Sequence, residues 1–169
     1  EKFSQPCKLD DCAMVLPFLK KGMLMVKIDD KSGFHHLQLD NFSRNMAACE
    51  YGGKLFKYKA APFGVPKIPG IYQTVNSVPI NILRQEGHQA FLYLDDRLFL
   101  FQPKSLSEEQ VMRRGDRMPE GLFKAMLLMT AGGTYINREK SFMLPSTKQE
   151  YLGFEINTNK CTVRIPDEK

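Results

Sequence analysis

Two carboxylates, Asp95 and Asp96, stand side by side between the apolar pairs Tyr93-Leu94 and Leu98-Phe99. Ionised carboxylates in an apolar setting need a partner or a cation. Adjacent like charges also raise each other's pKa. A divalent cation relieves both problems, and hard oxygen donors suit Mg2+. Asp29 follows the short, mostly apolar run Met23 to Ile28 and offers a third carboxylate. In a regular strand Asp95 and Asp96 would point to opposite faces. Asp95 is therefore expected to join Asp29 on the metal, with Asp96 contributing from the turn. A solvated acidic turn has the same two residues, and the dipeptide alone does not separate the two readings.

Those carboxylates need elements to hold them. Met23 to Ile28 reads as a buried strand that delivers Asp29-Asp30 at its end. Gln89 to Leu94 and Leu98 to Phe101 read as two strands with the acidic pair at their bend. Upstream, Asp10 or Asp11 is placed to cap a short helix over Cys12 to Lys20, kinked at Pro17 and stopped by Gly22. His36 to Leu39 alternates polar and apolar. The runs Asn45 to Tyr51 and Lys54 to Ala60 flank Gly52-Gly53, a hairpin signal because the tight turn needs φ > 0. Ala61 to Gly70 is rich in breakers and reads as a loop. It opens a helix whose apolar residues Ile71, Val75, Val78 and Ile82 predict a core face, bent at Pro79. Ser105 and Glu108 have capping-box spacing. Met118-Pro119 divides that segment from a stronger helix, Glu120 to Met129, which Gly132-Gly133 stops. Tyr151 to Ile156 and Cys161 to Ile165 predict a last hairpin around Thr158-Asn159. The fold class is α+β, an antiparallel sheet with helices packed on one face.

Composition narrows less. The chain has 169 residues, a formal net charge of +5, 43% hydrophobic and 25% charged residues, which fits one globular domain and excludes a disordered chain. That charge permits a nucleic-acid partner without singling one out. No membrane span is expected, since the longest apolar run, Ala13 to Leu19, contains Pro17. The polar start predicts no secretory signal, and a first residue other than Met predicts a piece of a longer protein. Of Cys7, Cys12, Cys49 and Cys161 only the first two are close, and no second pair completes a zinc site. Free thiols suit a reducing, intracellular compartment, cytoplasmic or nuclear.

The order of the features carries a resemblance. Lys27-Ile28-Asp29-Asp30-Lys31-Ser32-Gly33-Phe34 is similar to motif A of reverse transcriptases, and Tyr93-Leu94-Asp95-Asp96 to the Tyr-x-Asp-Asp of motif C. Ala61-Pro62-Phe63-Gly64-Val65, followed by Pro69 and Tyr72-Gln73, resembles motif B. Ile136 to Ser141 resembles motif D, and Tyr151-Leu152-Gly153-Phe154 resembles motif E, the primer grip. The match runs over about residues 8 to 169. Its type resembles the retrotransposon group that encodes a tyrosine recombinase, the DIRS-like group.

The resemblance implies a polymerase palm that adds deoxynucleotides to a primer 3′-hydroxyl on an RNA or DNA template. It implies two Mg2+ ions, with Mn2+ as a substitute, on Asp29, Asp95 and Asp96. Lys140 would face the triphosphate and protonate the leaving pyrophosphate. Ser32 and Gly33 would offer backbone amides to phosphate oxygens. Phe34, five residues after Asp29, would be the steric gate against a ribose 2′-hydroxyl. Phe63 and Gly64 would line the floor under the nascent base pair. Tyr93, Leu152 and Gly153 would touch the primer. Residues 1–34 would form the palm entry with motif A, 35–60 a residual fingers hairpin, and 61–169 the palm with motifs B to E, ending before the thumb. Without fingers and thumb the isolated piece would be weak or inactive. A protein partner or a homodimer stays open.

Several residues depart from the family's pattern. Asp30 stands where relatives usually carry an apolar residue, and Ser32 where an acidic one is common. Lys67 and Ile68 replace small residues, and Arg97 replaces an aliphatic. Arg97 could ion-pair with a carboxylate and compete with metal. These departures motivate a second reading from another class: a domesticated palm acting as an interaction or assembly module, its acidic site vestigial. A telomerase-type catalytic subunit and a small Mg2+ phosphohydrolase are weaker alternatives.

Overall fold

A computed structural model describes residues 9–166. Its centre is an antiparallel four-stranded sheet in the order β4-β5-β1-β6, made of β1 (Leu24–Asp29), β4 (Gln89–Tyr93), β5 (Asp96–Phe101) and β6 (Phe142–Ser146). The register pairs Ile28 with Arg97 and Asp29 with Asp96 across β1 and β5.

Period two then sorts the side chains. Val26, Ile28, Ala90, Leu92 and Phe99 face α3 (Ile68–Gln85) and α5 (Glu120–Ala131), meeting Ile80, Leu83, Leu122, Ala125 and Met129. Met25, Phe91, Leu98 and Leu100 face the other way, onto Val15, Tyr151 and Ile156. Burial on both faces is why the run at β1 is apolar almost throughout instead of alternating. The second face is covered by α1 (Cys12–Val15), its 3-10 extension Leu16–Phe18, and a small sheet of β7 (Lys148–Tyr151), β8 (Phe154–Asn157) and β9 (Thr162–Arg164). Between motif A and the loop at Ala61 lie α2 (Asn41–Met46) and a separate two-stranded hairpin, β2 (Ala48–Tyr51) and β3 (Lys54–Lys57).

Several expectations change. Asp11, not Asp10, caps α1, accepting from the Met14 N–H at 3.0 Å. Asp10 instead closes the free edge of β4: its carboxylate accepts from the Leu92 N–H at 2.9 Å and pairs with Arg84. The strand expected from Asn45 begins at Ala48, because Asp40 caps a helical turn over the preceding residues. Gly52 and Gly53, at φ 57° and 70°, make the predicted hairpin turn. The Tyr151 to Ile156 run is two strands, broken where Leu152 and Gly153 take φ 49° and 81°.

The largest correction concerns α3. Ile71, Val75 and Val78 are exposed, and the buried face is Ile68, Tyr72, Gln73, Asn76, Ile80 and Leu83. Polar side chains take the inner face because each meets a partner there, as described below. Before α4 (Leu106–Arg114) the expected Ser105 cap forms, with the Glu108 N–H donating to Ser105 Oγ at 3.1 Å, while the Glu108 carboxylate reaches back one residue further and accepts from the Lys104 N–H at 2.6 Å. Among the described residues no helix is long and apolar enough to cross a membrane. Cys12, Cys49 and Cys161 are free, and Cys7 lies outside the described residues.

Candidate active site

Asp29 ends β1, and its main chain is clasped by the loop that carries Asn137 and Ser141. Its N–H donates to Ser141 Oγ at 3.0 Å, and its carbonyl accepts from the Asn137 N–H at 2.9 Å. Asp95 sits in the tight β4–β5 turn, where Tyr93 pairs with Asp96. The strand expected to reach Leu94 stops at Tyr93, because Leu94 turns to φ 51°, a conformation that a branched side chain adopts only under constraint. Gln73 supplies the constraint: its Oε1 accepts from the Leu94 N–H at 2.9 Å, and its Nε2 donates to the Leu92 carbonyl at 3.1 Å. The Asp30 N–H donates to the Asp95 carbonyl at 3.1 Å, tying the end of β1 to the turn.

Asp95 Oδ1 is buried with no hydrogen-bond partner in the protein. Burial, followed by the charges of Asp30, Asp29 and Asp96, raises the pKa of Asp95 to about 6. Burial and Asp96 also raise Asp29, against the opposing pull of Lys140, Asn137 and Lys27. Two raised carboxylates, one with an orphaned oxygen, are a donor set that fits a hard divalent cation. Among the described residues no three acidic, His or Cys side chains converge into one closed ligand set.

Asp96 projects to the opposite sheet face from Arg97, as period two requires. There it forms an ion pair with Lys27 at 2.9 Å. Lys140 lies near enough to Asp29 for its charge to act on that carboxylate.

Gly33 is buried against the site. A Cβ there would stand 2.6 Å from Tyr72 Oη and 2.8 Å from Asp95 Oδ1, so only glycine lets these groups approach. Ser32, at φ 58°, is exposed beside it. The Phe34 ring packs on Phe63 at 5.2 Å and edge-on to Tyr72 at 5.3 Å. Phe63 is otherwise open to solvent, and Gly64 turns at φ 90°. Leu152 packs under the second sheet face, and with Gly153 it makes the β7–β8 turn. Asp29, Gly33, Asp95 and Lys140 are thus neighbours, with Phe34 and Phe63 as an aromatic wall alongside.

Arg97 is turned to Asp30, although its charge also reaches Asp95 and pulls that pKa down against the larger upward causes. Its guanidinium is fully buried and ion-pairs with the fully buried Asp30 carboxylate. Tyr72 Oη donates to the other Asp30 oxygen, and Arg97 Nη2 donates to Asn76 Oδ1. Burial, then the Asp30 charge, drives the Tyr72 phenol far above its usual range. Two of the departures from the family pattern therefore pair with each other, while Arg97 Nε is buried with no hydrogen-bond partner among the described residues. Sequence reasoning gave no role to Gln73, Asn76, Asn137 or Ser141. The available signal was Arg97 itself, since an arginine inside an apolar hairpin must find a buried acid and further acceptors.

The comparisons with known proteins agree. Residues 4–156 match the family model described as reverse transcriptase (RNA-dependent DNA polymerase). The chain is 29% identical over 100 residues to the retrovirus-related Pol polyprotein from transposon 412 of Drosophila melanogaster, covering 59% of this chain and 8% of that protein. It is 25% identical over 145 residues to the Pol polyprotein from transposon gypsy of the same species, covering 85% of this chain and 13% of that protein. The chain thus spans a small part of these relatives' length. In fold it is similar to the foamy viral protease-reverse transcriptase dRH in complex with double-stranded DNA, with a TM-score of 0.72 and 19% identity, over 98% of this chain and 26% of that one. A mixed α+β fold, a carboxylate pair at adjoining strand ends and a family match over most of its length have one conclusion: the chain belongs to the reverse transcriptase family, and it is similar to Pol polyproteins of retrotransposons.

Proposed function

We propose that this chain is the palm of an RNA-directed DNA polymerase that extends a primer 3′-hydroxyl with deoxynucleotides at a site for two Mg2+ ions, which Mn2+ can replace. The family uses divalent ions. One observation carries the reading for this chain: Asp29 and Asp95 are held as neighbours by main-chain clasps, and Asp95 keeps a buried oxygen with no protein partner. When bound, the ions would supply charge stabilisation to the primer hydroxyl, the triphosphate and the leaving pyrophosphate.

The chain's own groups do the rest. Asp29 and Asp95 would hold the cations through their carboxylate oxygens, and Asp96, at the start of β5, would add negative charge nearby. Lys140 offers a proton and a positive charge on the side where pyrophosphate leaves. The main chain at Ser32 and Gly33 offers N–H groups to phosphate. Phe34, braced by Phe63 and Tyr72, fills the space a ribose 2′-hydroxyl would need. Phe63 and Gly64 form the floor under the new base pair, and Tyr93, Leu152 and Gly153 touch the primer strand. The segment up to residue 34 serves as palm entry, 35–60 as a fingers hairpin, and the segment from 61 onward as further palm. The similarity to a reverse transcriptase bound to double-stranded DNA supports a primer–template as partner. The motif pattern supports a DIRS-like parent, which a tyrosine recombinase region elsewhere in the same polyprotein would test. An intracellular site of action, cytoplasmic or nuclear, suits a retrotransposon enzyme.

A vestigial site was the rival reading, and an Arg97 lodged between the carboxylates would have favoured it. Arg97 is turned to Asp30 instead. Primer extension by the full-length parent protein, with Asp95→Asn beside it, decides. Extension that disappears in the variant supports the polymerase, and no extension by a folded parent rejects it.

A further inference from the structure

The polymerase reading assigns no work to the most buried charges in the chain. Asp30 and Arg97 are both fully buried, one directly after Asp29 and the other two residues after Asp95. Replacing a buried ion pair by packed apolar residues is commonly neutral or stabilising, so a gain in stability does not account for this one. Its placement does. Period two puts Asp30 and Arg97 on the sheet face that α3 covers, opposite Asp96 and Lys27. There Arg97 spans two acceptors from two elements, Asp30 at the end of β1 and Asn76 on α3. The Asn76 Nδ2 returns to the Tyr72 carbonyl at 3.1 Å. Tyr72 closes the network onto Asp30, and its ring is the edge on which Phe34 rests. Through its own N–H, Asp30 also holds the Asp95 carbonyl.

Resting on the polymerase reading, we propose that Asp30 and Arg97 form one positioning unit, which with Tyr72 and Asn76 sets the spacing of the Asp29–Asp95 carboxylate pair and seats the Phe34 ring. Neither residue touches substrate or metal. The planar guanidinium fork fixes direction as well as distance, which an aliphatic pair in the same space would not do. Because the unit joins the ends of β1 and β5 to α3, loosening it would let the two carboxylates separate and the gate tilt together.

The test uses the full-length parent protein in four forms: wild type, Asp30→Val, Arg97→Met, and the double variant. Each single variant leaves an unpaired buried charge and is expected to melt at clearly lower temperature. The double variant is expected to recover most of that loss. A purely structural pair would then recover polymerase function as well. The positioning unit predicts that the double variant keeps a deficit: kcat lower by about tenfold or more with the primer–template KM little changed, as for an interaction expressed in the transition state. Mn2+ binding, measured by calorimetry without nucleotides, should weaken by about threefold or more in the same variant, since misplaced ligands lose affinity. Discrimination against ribonucleotides should also fall.

Tyr72→Phe provides a second arm if the double variant does not fold. It keeps the ring under Phe34 and removes only the hydroxyl that holds Asp30, and it should weaken Mn2+ binding in a folded protein. A folded double variant with wild-type kcat and Mn2+ affinity would overturn the proposal, as would a folded Tyr72→Phe with unchanged Mn2+ affinity. The calorimetric arm does not depend on polymerisation. A wild type that binds Mn2+ yet extends no primer refutes the polymerase reading and leaves the positioning unit to be judged on binding.

Discussion

Divalent-cation binding should depend on pH in a range where an ordinary aspartate would leave it flat. Burial and the neighbouring carboxylates hold the Asp95 pKa at about 6. A cation binds the ionised form, so below that value it must displace a proton. Near pH 7 about nine in ten Asp95 side chains are ionised, and near pH 5 about one in ten. Affinity should therefore fall about tenfold between those two values, about 1.4 kcal/mol. An aspartate at the usual 3.8 would lose almost nothing over the same range. Asp29 is shifted in the same direction, so the decline should steepen towards the acid end. Without cation the sign reverses. A raised carboxyl pKa means the folded state holds a proton that the unfolded state has lost. Asp95 therefore favours folding below the unfolded value and loses that contribution as pH rises through about 6. Asp95→Asn should raise the melting temperature of the cation-free protein at pH 7 and flatten its pH dependence across that window, leaving the smaller contribution of Asp29, while also removing primer extension. The assays are Mn2+ calorimetry at constant ionic strength from pH 7.5 to 5, as about half-unit steps, and thermal melts with chelator. Mn2+ affinity that stays level down to pH 5 would refute the reasoning, as would an Asp95→Asn protein less stable than wild type at pH 7.

Other consequences are local. Gly33→Ala would place a Cβ 2.6 Å from Tyr72 Oη and 2.8 Å from Asp95 Oδ1; it should cost about 1–3 kcal/mol of stability and weaken Mn2+ binding, read by thermal melts and calorimetry. Gln73→Leu strips both hydrogen bonds from the Leu94 turn; a loss of about 1–3 kcal/mol is expected, with faster hydrogen exchange at the Leu94 amide. Phe34→Ala should raise ribonucleotide incorporation by about tenfold or more in an active parent, a size set by the removal of a steric block; unchanged sugar selectivity would reject the gate assignment.

Most of the sheet was legible because its strands are short apolar runs ended by acids or glycines. β1, β4 and β5 fall where the sequence puts them, within a residue or two. The acidic pair stood out in the sequence, but the dipeptide alone did not separate a cation site from a solvated turn; the order of the features around it did the separating. The inner face of α3 was not. Periodicity weighs apolar residues, and Ile71, Val75 and Val78 form a helical stripe that the fold leaves exposed. The true inner face carries Gln73 and Asn76, whose burial makes sense only once the turn at Leu94 and the Arg97 side chain stand opposite them. The same limit applied to Asp30 and Arg97. Each looked like a departure by itself, and only the register of β1 on β5, with Ile28 opposite Arg97, brings them together. Asp10 and Asp11 were both open as the cap because a helix follows them, and Asp11 takes that place. Asp10 serves a strand edge that lies 82 residues away in sequence.

The central claim is that Asp29 and Asp95 jointly hold the cations at which a deoxynucleotide is added. A crystal of the full-length parent with primer–template, a deoxynucleoside triphosphate and Mn2+ tests it most directly, through anomalous density. The account predicts a Mn2+ peak contacting both carboxylates and the triphosphate, with Arg97 still turned to Asp30. A bound triphosphate whose Mn2+ touches neither Asp29 nor Asp95 would contradict it.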